Sequence, residues 1–339
     1  CMFRLYAALL LFLSLTATHT VNIHAQGAEP EYQIIECSCQ WLWSPESTDL
    51  EEWQILYDPR GITVSPLGDI VVADTRNTRV VRFSPEAELV EIIGRSGAGP
   101  GEFYEPVEVC FEPDSDILWV ADCQNRRISR FQVSTDQSTL IDTFPCQQLM
   151  PLSNVVIRDQ TSYFISPLRS ENRISLFDSD GNIVRSYGNL FEPDRPQQPK
   201  ALFNYGYIAV SHSNEIIFTG KFKPIFEKWS EEGELLYQCE FPFPEIDTSR
   251  RRDSHLPANS LHVFAEHVAY HYPNNRLYVM VRRNIYEVSL DTFKIERFFH
   301  INDLDSFPDS FAVQSSPDGI RFYLLNFRPG GVMVVSPSG

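Results

Sequence analysis

The sequence has 339 residues and a formal net charge of −17 at pH 7, with 43% apolar and 13% aromatic residues. This excess of acid repels nucleic acids and anionic membrane surfaces, so we expect neither as a partner. Beyond the N-terminus, no apolar run reaches the roughly 18 residues that a membrane span requires. Abundant aromatic residues and frequent Gly and Pro favour many short strands, and they predict an all-β fold.

The first 25 residues have the features of an export signal. Arg4 supplies a positive charge ahead of the run Leu5–Leu15, which is apolar except for Ser14, and Ala25 suits a cleavage site. A buried strand or a membrane anchor is the alternative interpretation. No cysteine directly follows the run, as lipid anchoring would require. We therefore predict a signal peptide at residues 1–25 and a soluble periplasmic or secreted protein.

Six cysteines follow the predicted signal: Cys37, Cys39, Cys110, Cys123, Cys146 and Cys239. An even number in an exported protein permits disulfides, and buried free thiols are the alternative. The spacing of these cysteines matches no zinc site. The sequence therefore leaves both thiol states open and predicts no metal ligand among them.

A repeated set of residues indicates the architecture. An aspartate, an asparagine, an arginine and a phenylalanine recur at the same spacing in two units that lie 48 residues apart. They are Asp74, Asn77, Arg79 and Phe83, then Asp122, Asn125, Arg127 and Phe131. A period of roughly 40 to 50 residues with four strands per unit is typical of β-propellers.

Weaker copies of this unit end near residues 188, 241 and 300, and the last copy, residues 310–339, supplies only three strands. A propeller must close its ring or leave strand edges unpaired, so the missing outer strand should come from elsewhere. The strand-like segment Glu31–Glu36 is the natural donor, and we predict that Tyr32–Glu36 pairs with Gly331–Pro337. The predicted fold is a six-bladed β-propeller of four-stranded blades. Residues 26–52 form the closing strand and a linker, and residues 53–339 form the propeller.

Two segments carry a family resemblance, IIGRSGAGPGEFYEP (residues 92–106) and DILWVADCQNRRISRF (residues 116–131). They resemble the NHL-repeat propellers, and more specifically a group of exported bacterial six-bladed propellers with a G-x-GPGEF linker. The resemblance in motif covers about residues 61–177, since the later units lose the Asp, Asn and Arg set. It implies the fold and leaves the activity open.

The residues of the motif are predicted to be structural. Asp74 and Asp122 stand where a strand meets a turn, and there a carboxylate accepts backbone N–H groups. The segment Gly94–Phe103 lacks the lysine and the helix of a phosphate-binding loop. We expect it to be a connection from one blade to the next, in which glycines allow the backbone to pass close over the side chains of Phe103 and Pro106.

No catalytic residue can be identified. The sequence shows no Ser-His-Asp order, no paired catalytic carboxylates and no Gly-x-Ser-x-Gly elbow. His255, His262, His267 and His271 lie close together in sequence, and a strand would point His267 and His271 to one side. We expect these to be ordinary histidines and predict no metal and no cofactor.

Seven basic residues are the candidates for ligand binding. In an antiparallel blade, loops between blades and loops between the second and third strands share one face. Those loops carry more basic than acidic residues, whereas turns of the other face, such as residues 178–180 and 231–234, are acidic. The candidates are Lys221, Lys223, Arg250, Arg251, Arg252, Arg282 and Arg283.

The sequence therefore predicts an exported binding or scaffold module rather than an enzyme. Its loop-rich, relatively basic face would bind an anionic ligand or a protein partner. A bland alternative is that the acidic turns only keep the opposite face soluble. The alternative function, implied by the resemblance to NHL-like lyases and lactonases, is a metal-dependent propeller lyase or hydrolase with its site in the central channel.

Overall fold

The computed structural model describes residues 19–20, 32–43, 45–147, 149, 154–158, 161–165, 171–193, 196, 198–240, 263–302, 304, 308–317 and 319–338. Nearly all regular structure in these ranges is β-strand, which confirms the predicted class. One short helix, α1 (Lys200–Phe203), and 3-10 turns at Glu52–Gln54, Thr75–Asn77 and Tyr272–Asn274 complete it. Across the described ranges, no helix is long and apolar enough to cross a membrane.

Four sheets have four antiparallel strands each, in chain order. The first comprises β3 (Ile62–Val64), β4 (Ile70–Asp74), β5 (Arg79–Phe83) and β6 (Leu89–Ile93). The second comprises β7 (Pro106–Phe111), β8 (Ile117–Asp122), β9 (Arg127–Val133) and β10 (Ser138–Pro145). The third comprises β11 (Val155–Arg158), β12 (Thr161–Ile165), β13 (Asn172–Phe177) and β14 (Ile183–Asn189). The fourth comprises β15 (Gly206–Val210), β16 (Ile216–Gly220), β17 (Ile225–Trp229) and β18 (Leu235–Glu240).

The remaining strands form one larger sheet with two halves. Its first half comprises β19 (His267–His271), β20 (Arg276–Val281), β21 (Asn284–Ser289) and β22 (Ile295–Ile301). Its second half comprises β23 (Ser310–Ser316), β24 (Gly319–Asn326) and β25 (Gly331–Pro337). The N-terminal strand β2 (Gln33–Trp41) lies between the halves, and β1 (His19–Thr20) pairs with β2.

The strand β2 pairs with both halves of the larger sheet. Its first part, Gln33–Cys37, runs parallel to β22, and its second part, Cys37–Trp41, runs antiparallel to β25. The N-terminal strand thus reaches β25, but the predicted pairing of Tyr32–Glu36 with β25 is wrong in register. Tyr32 packs its ring on Phe298 of β22, with centroids 6.2 Å apart, and this holds the upstream residues on the other half.

Apolar side chains of the second and third strands hold the sheets face to face. The strand β4 is buried along its whole length. Its residues before Asp74 are all apolar, as expected for a strand that is covered on both faces. Val71, Val120 and Phe131 share one core between the first and second sheets. Phe83 and Tyr323 share another core, between the first sheet and the second half of the larger sheet.

The glycine-rich segment after β6 is a crossover, as predicted. Phe103 is fully buried, and a Cβ added to Gly94, whose φ is +78°, would lie 2.3 Å from the Phe103 ring. The Glu102 carboxylate accepts the Gly99 N–H at 2.8 Å and a hydrogen bond from Arg95 Nε at 2.9 Å. The segment therefore turns around its own glutamate, and glycine at position 94 permits close packing on Phe103.

The first strands of successive sheets lie against one another. β3 contacts β7, β7 contacts β11, β11 contacts β15, β15 contacts β19, and β19 contacts β23. The strand β23 in turn contacts β3. The first strands therefore follow one another in contact from β3 to β23, and β23 returns to β3.

Candidate functional site

The structure places four of the seven predicted basic residues. Lys221 and Lys223 lie in the loop between β16 and β17, and Arg282 and Arg283 form the turn between β20 and β21. Arg250, Arg251 and Arg252 lie outside the described residues. The two lysines are partly buried, and Arg282 and Arg283 are exposed.

Lys221 lies among aromatic rings rather than on an open surface. Its Nζ donates a hydrogen bond to the Tyr207 hydroxyl at 3.0 Å, and that hydroxyl donates to the carbonyl oxygen of Glu266. Nζ also lies 5.7 Å from the centre of the Tyr205 ring and 5.5 Å from that of Tyr207. Burial lowers the pKa of the Lys221 ammonium, although Asp309 and Glu266 act in the opposite direction.

Lys223 and Arg282 have different surroundings. The Lys223 Nζ lies 4.6 Å from the centre of the Phe191 ring and 5.3 Å from that of Phe203. The Arg282 backbone N–H donates to a Glu266 carboxylate oxygen at 2.6 Å. Lys221 and Arg282 therefore flank the same glutamate, whereas Lys223 lies against the connection between the third and fourth sheets.

Charged and phenolic side chains from five sheet segments influence one another's ionisation. Those that do so are Arg60, Glu108, Tyr205, Tyr207, Lys221, Glu266 and Asp309, and we call them the axial cluster. Burial raises the pKa of Tyr205, which precedes β15, and the charge of Arg60, which precedes β3, acts against that rise. Because β3 and β15 belong to sheets that do not follow one another, this interaction joins distant parts of the chain.

Desolvation governs the ionisation of this cluster. It raises the pKa of Glu108 to about 8, against hydrogen bonds from Asn154 Nδ2 and the Val109 backbone N–H. It also raises the pKa values of Glu266 and Asp309, which Lys221 lowers in each case. Asp309 is exposed, so solvent screens its interactions more than those of partly buried Glu108. Opposite charges in the cluster act against this desolvation, since Lys221 lowers the pKa values of both carboxyl groups and they raise that of Lys221.

His267 borders the cluster without belonging to a metal site. Its ring packs edge-on against Tyr207 at 5.1 Å, and its Nε2 lies 3.2 Å from Ser310 Oγ. Burial lowers the pKa of His267 to about 3, so its imidazole is neutral at physiological pH. His271 follows on the same side of β19, with Nε2 3.2 Å from Ser315 Oγ, as the predicted strand spacing required.

In the described ranges, no three His, Cys, Asp or Glu side chains are grouped so that they could hold a metal ion. His255 and His262 lie outside those ranges. Cys37, Cys39, Cys110, Cys123 and Cys239 are free thiols. Burial raises the pKa of Cys37 to about 12 and that of Cys39 to about 11, which keeps both protonated.

The motif aspartates hold turns together, as predicted. The Asp74 carboxylate accepts the Tyr57 N–H at 2.7 Å and bonds from Asn77 Nδ2 and Arg79 Nε at 2.8 Å each. In the second sheet, Asp122 accepts the N–H groups of Tyr104 and Glu105 in the same manner. Both carboxylates are fully buried and occupied by turn donors, so they are structural.

Exposed basic residues recur on one face of the molecule. Every fully described turn between a second and a third strand contains a basic side chain, and in four of the sheet segments it is an exposed arginine. These are Arg76, Arg126, Arg282 with Arg283, and Arg328. Each described turn between a third and a fourth strand instead contains an exposed acid, as at Glu88, Asp136, Asp180, Glu231 and Asp291.

Sequence reasoning identified Lys221 but missed the rest of the axial cluster. Tyr205, Glu266 and Asp309 each immediately precede the first strand of their sheet segment, and Asn154 does so in the third sheet. A polar or phenolic residue at the same place in successive repeats was therefore a readable signal. Their partners in other repeats could not be read, because they depend on contacts between distant repeats.

Comparison with known proteins supports the fold. The NHL repeat family model matches residues 56–83, which include β3 to β5. A segment of 85 residues is 35% identical to rat peptidylglycine alpha-amidating monooxygenase, and this match spans 23% of the chain and 9% of that protein. The match thus covers a small part of the monooxygenase and carries no activity to this chain.

Three solved structures resemble the chain over most of its length. A Bacteroides fragilis protein described as an exported protein has a TM-score of 0.54 at 11% identity, covering 90% of this chain and all of that one. Virginiamycin B lyase from Staphylococcus aureus, in a structure with quinupristin, has 0.51 at 12%, covering 89% of this chain and 100% of that chain. Kuenenia stuttgartiensis hydrazine synthase has 0.52 at 12%, covering 88% of this chain and 99% of that one. Together with the NHL repeat match over residues 56–83, these likenesses support a β-propeller fold.

Proposed function

We propose that this chain is an exported six-bladed β-propeller that acts as a binding or scaffold module for an anionic ligand or an acidic protein segment. The order of contacts among the first strands, with β23 against β3, supports the ring. The pairing of Cys37–Trp41 with β25 supports closure by the N-terminal strand. Residues 1–25 support export by their pattern alone.

The repeated exposed arginines carry the proposal for binding. Arg126, Arg282 and Arg283 are exposed in turns of one face, while an exposed acid occupies each described turn between a third and a fourth strand. Such a separation of charge steers an anionic partner towards one face even though the chain has a net charge of −17. The partly buried motif arginine Arg79 does not contribute, because it is bonded to Asp74 at 2.8 Å.

The test reverses the charge of this face. In the variant Arg126→Glu, Arg282→Glu and Arg283→Glu, we expect elution from an immobilised polyanion, such as heparin, at clearly lower salt than for the wild type. Each exposed arginine contributes roughly 1 kcal/mol or less, so a triple change is needed. The difference should shrink as salt reduces the screening length to about 10 Å near 0.1 M.

A matched control changes three basic residues near the opposite turns, in the variant Arg185→Glu, Lys294→Glu and Arg321→Glu. It has the same change in net charge, so a general loss of attraction would affect both variants equally. We expect the control to elute close to the wild type. If the two triple variants elute together, net charge rather than this face determines retention, and the proposal fails.

A further inference from the structure

Apolar and basic side chains lie together on part of the arginine-bearing face. Ile55 and Tyr57, in the segment that leads into β3, are 55% and 64% exposed. Arg76 lies in the turn between β4 and β5, and Arg328 lies in the turn between β24 and β25, and both are exposed. We call this group of four exposed residues, Ile55, Tyr57, Arg76 and Arg328, the Tyr57 surface.

Asp58, which is buried and directly follows Tyr57, joins the two arginines to this surface. Its Oδ2 lies 3.3 Å from Arg76 Nε, and its Oδ1 lies 3.7 Å from Arg328 Nη2. The Arg76 backbone N–H also donates to the Tyr57 carbonyl oxygen at 3.0 Å. Two guanidinium groups thus share one carboxylate, so the surface keeps an excess of positive charge and unused N–H donors.

The Tyr57 side chain is exposed although its backbone is held in place. Its N–H donates to the Asp74 carboxylate at 2.7 Å, and its carbonyl oxygen accepts the Arg76 N–H. Within the described part of the chain, its ring packs on no other aromatic ring and its hydroxyl forms no hydrogen bond. A tyrosine on a fixed backbone offers a large contact area and loses little conformational freedom when a partner covers it.

The composition of the Tyr57 surface indicates which kind of anion it fits. Tyrosine and arginine are enriched in protein-binding surfaces, where these residue types contribute much of the binding energy. The two arginines can pair with carboxylates, whereas Ile55 and Tyr57 offer an apolar contact that a purely charged polymer does not use.

We propose that the Tyr57 surface binds a peptide segment in which acidic residues flank an apolar or aromatic side chain. The acidic residues pair with Arg76 and Arg328, and the apolar side chain covers Ile55 and Tyr57. This inference rests on the proposed binding function of the arginine-bearing face, and it narrows the partner from any anion to a protein segment of this composition.

The experiment compares two fluorescent synthetic peptides of equal length and charge, one of glutamate and phenylalanine and one of glutamate and serine. Their binding to a chain that begins at residue 26 is measured by fluorescence anisotropy at low salt. We expect the phenylalanine peptide to bind about ten-fold more tightly, since a buried aromatic contact at an interface has an effect of this size. Equal binding of the two peptides would overturn the proposal.

A double variant locates the apolar contact. In Ile55→Ala with Tyr57→Ala, the phenylalanine peptide should bind no better than the serine peptide, while binding of the serine peptide and the melting temperature stay unchanged. The control, Leu67→Ala with Ile183→Ala, truncates side chains that are 50% and 52% exposed near turns of the opposite face. It should keep the wild-type preference, and an equal loss of preference in both variants would contradict this location.

A second pair of variants locates the contact with the acidic residues. Arg76→Gln with Arg328→Gln should weaken the binding of both peptides and leave the preference for phenylalanine in place. Its control, Arg185→Gln with Lys294→Gln, removes the same charge near turns of the opposite face and should have a clearly smaller effect. If the two variants bind the serine peptide equally, the acidic residues do not meet Arg76 and Arg328, and the proposal is wrong.

Retention on heparin separates this proposal from the proposed function. Heparin has charge but no apolar side chain, so Ile55→Ala with Tyr57→Ala should elute from it with the wild type. Earlier elution of this variant would mean that the Tyr57 ring packs on sugar, and an acidic glycan would replace the peptide as the partner. Failure of the Arg126, Arg282 and Arg283 reversal to lower retention affects the proposed function, whereas equal binding of the two peptides affects only this inference.

Discussion

Burial assigns different roles to carboxylates that are alike in sequence. Asp74 and Asp122 are fully enclosed, and each is stabilised by several donors from its own turn. Glu108 lies in β7, where its donors are the Val109 backbone N–H and a long contact, 3.5 Å, from Asn154 Nδ2. A carboxyl group with few donors in a desolvated place binds a proton more tightly, which is why the pKa of Glu108 rises to about 8.

This shift predicts a pH dependence of stability. The pKa of Glu108 is higher in the folded chain than its ordinary value of 4.5, so its stabilising contribution is complete below about pH 4.5 and is lost as the pH rises through about 8. Glu108→Gln, which stays uncharged, should therefore show a smaller fall in melting temperature between pH 5 and pH 8 than the wild type. The exposed control Glu88→Gln should keep the wild-type fall. An equal fall in Glu108→Gln would mean that Glu108 does not titrate in this range.

The strand β2 is the element with the most unusual pairing. Its first part pairs with β22 and its second part with β25. Cys37, at the junction of the two parts, is fully buried in the core that contains Phe299 and Val335. The backbone groups of β22 and β25 that face β2 would otherwise be open edges. We therefore expect both parts of β2 to contribute to stability.

Two truncations separate the parts. A chain that begins at residue 37 loses the parallel pairing with β22 but keeps the antiparallel pairing with β25. A chain that begins at residue 42 loses both. Compared with a chain that begins at residue 26, the melting temperature should fall in two steps, with the larger fall at the second, because that truncation also removes Cys37 from the core. If the chain from residue 42 has the same melting temperature as the chain from residue 26, β2 is dispensable for stability.

For the whole molecule, the predicted export bears on which partners the arginine-bearing face can meet. A protein of net charge −17 that presents arginines on one face can select anionic partners outside the cytoplasm, where nucleic acid does not compete. This interpretation depends on the signal at residues 1–25, which the sequence pattern alone supports.

N-terminal sequencing of protein isolated from the cell envelope or the medium tests this step. We expect a mature N-terminus near Gln26, because cleavage after Ala25 removes the apolar run. Protein recovered from the cytosol with an intact N-terminus at Met2 would contradict export. The proposed partner would then have to be sought inside the cell.

Sequence by itself determined the repeat, the all-β class and the structural role of the motif. The 48-residue spacing of Asp74 and Asp122 is a local signal, since each aspartate bonds to turn residues within its own repeat. The crossover at Gly94 and Phe103 could be read for the same reason. The assignment of Arg282 and Arg283 to one face was predicted from the antiparallel order of the strands alone.

Only the tertiary structure decided the register of β2 and the composition of the axial cluster. A register depends on which core receives each side chain, and the segment Glu31–Glu36 does not show that Tyr32 packs on Phe298. The effect of Asp309 on Lys221 likewise joins residues 88 positions apart, from sheet segments that do not follow one another in the chain. Desolvation depends on everything that surrounds a group, so the lowered pKa of Lys221 could not be read from its neighbours in the chain.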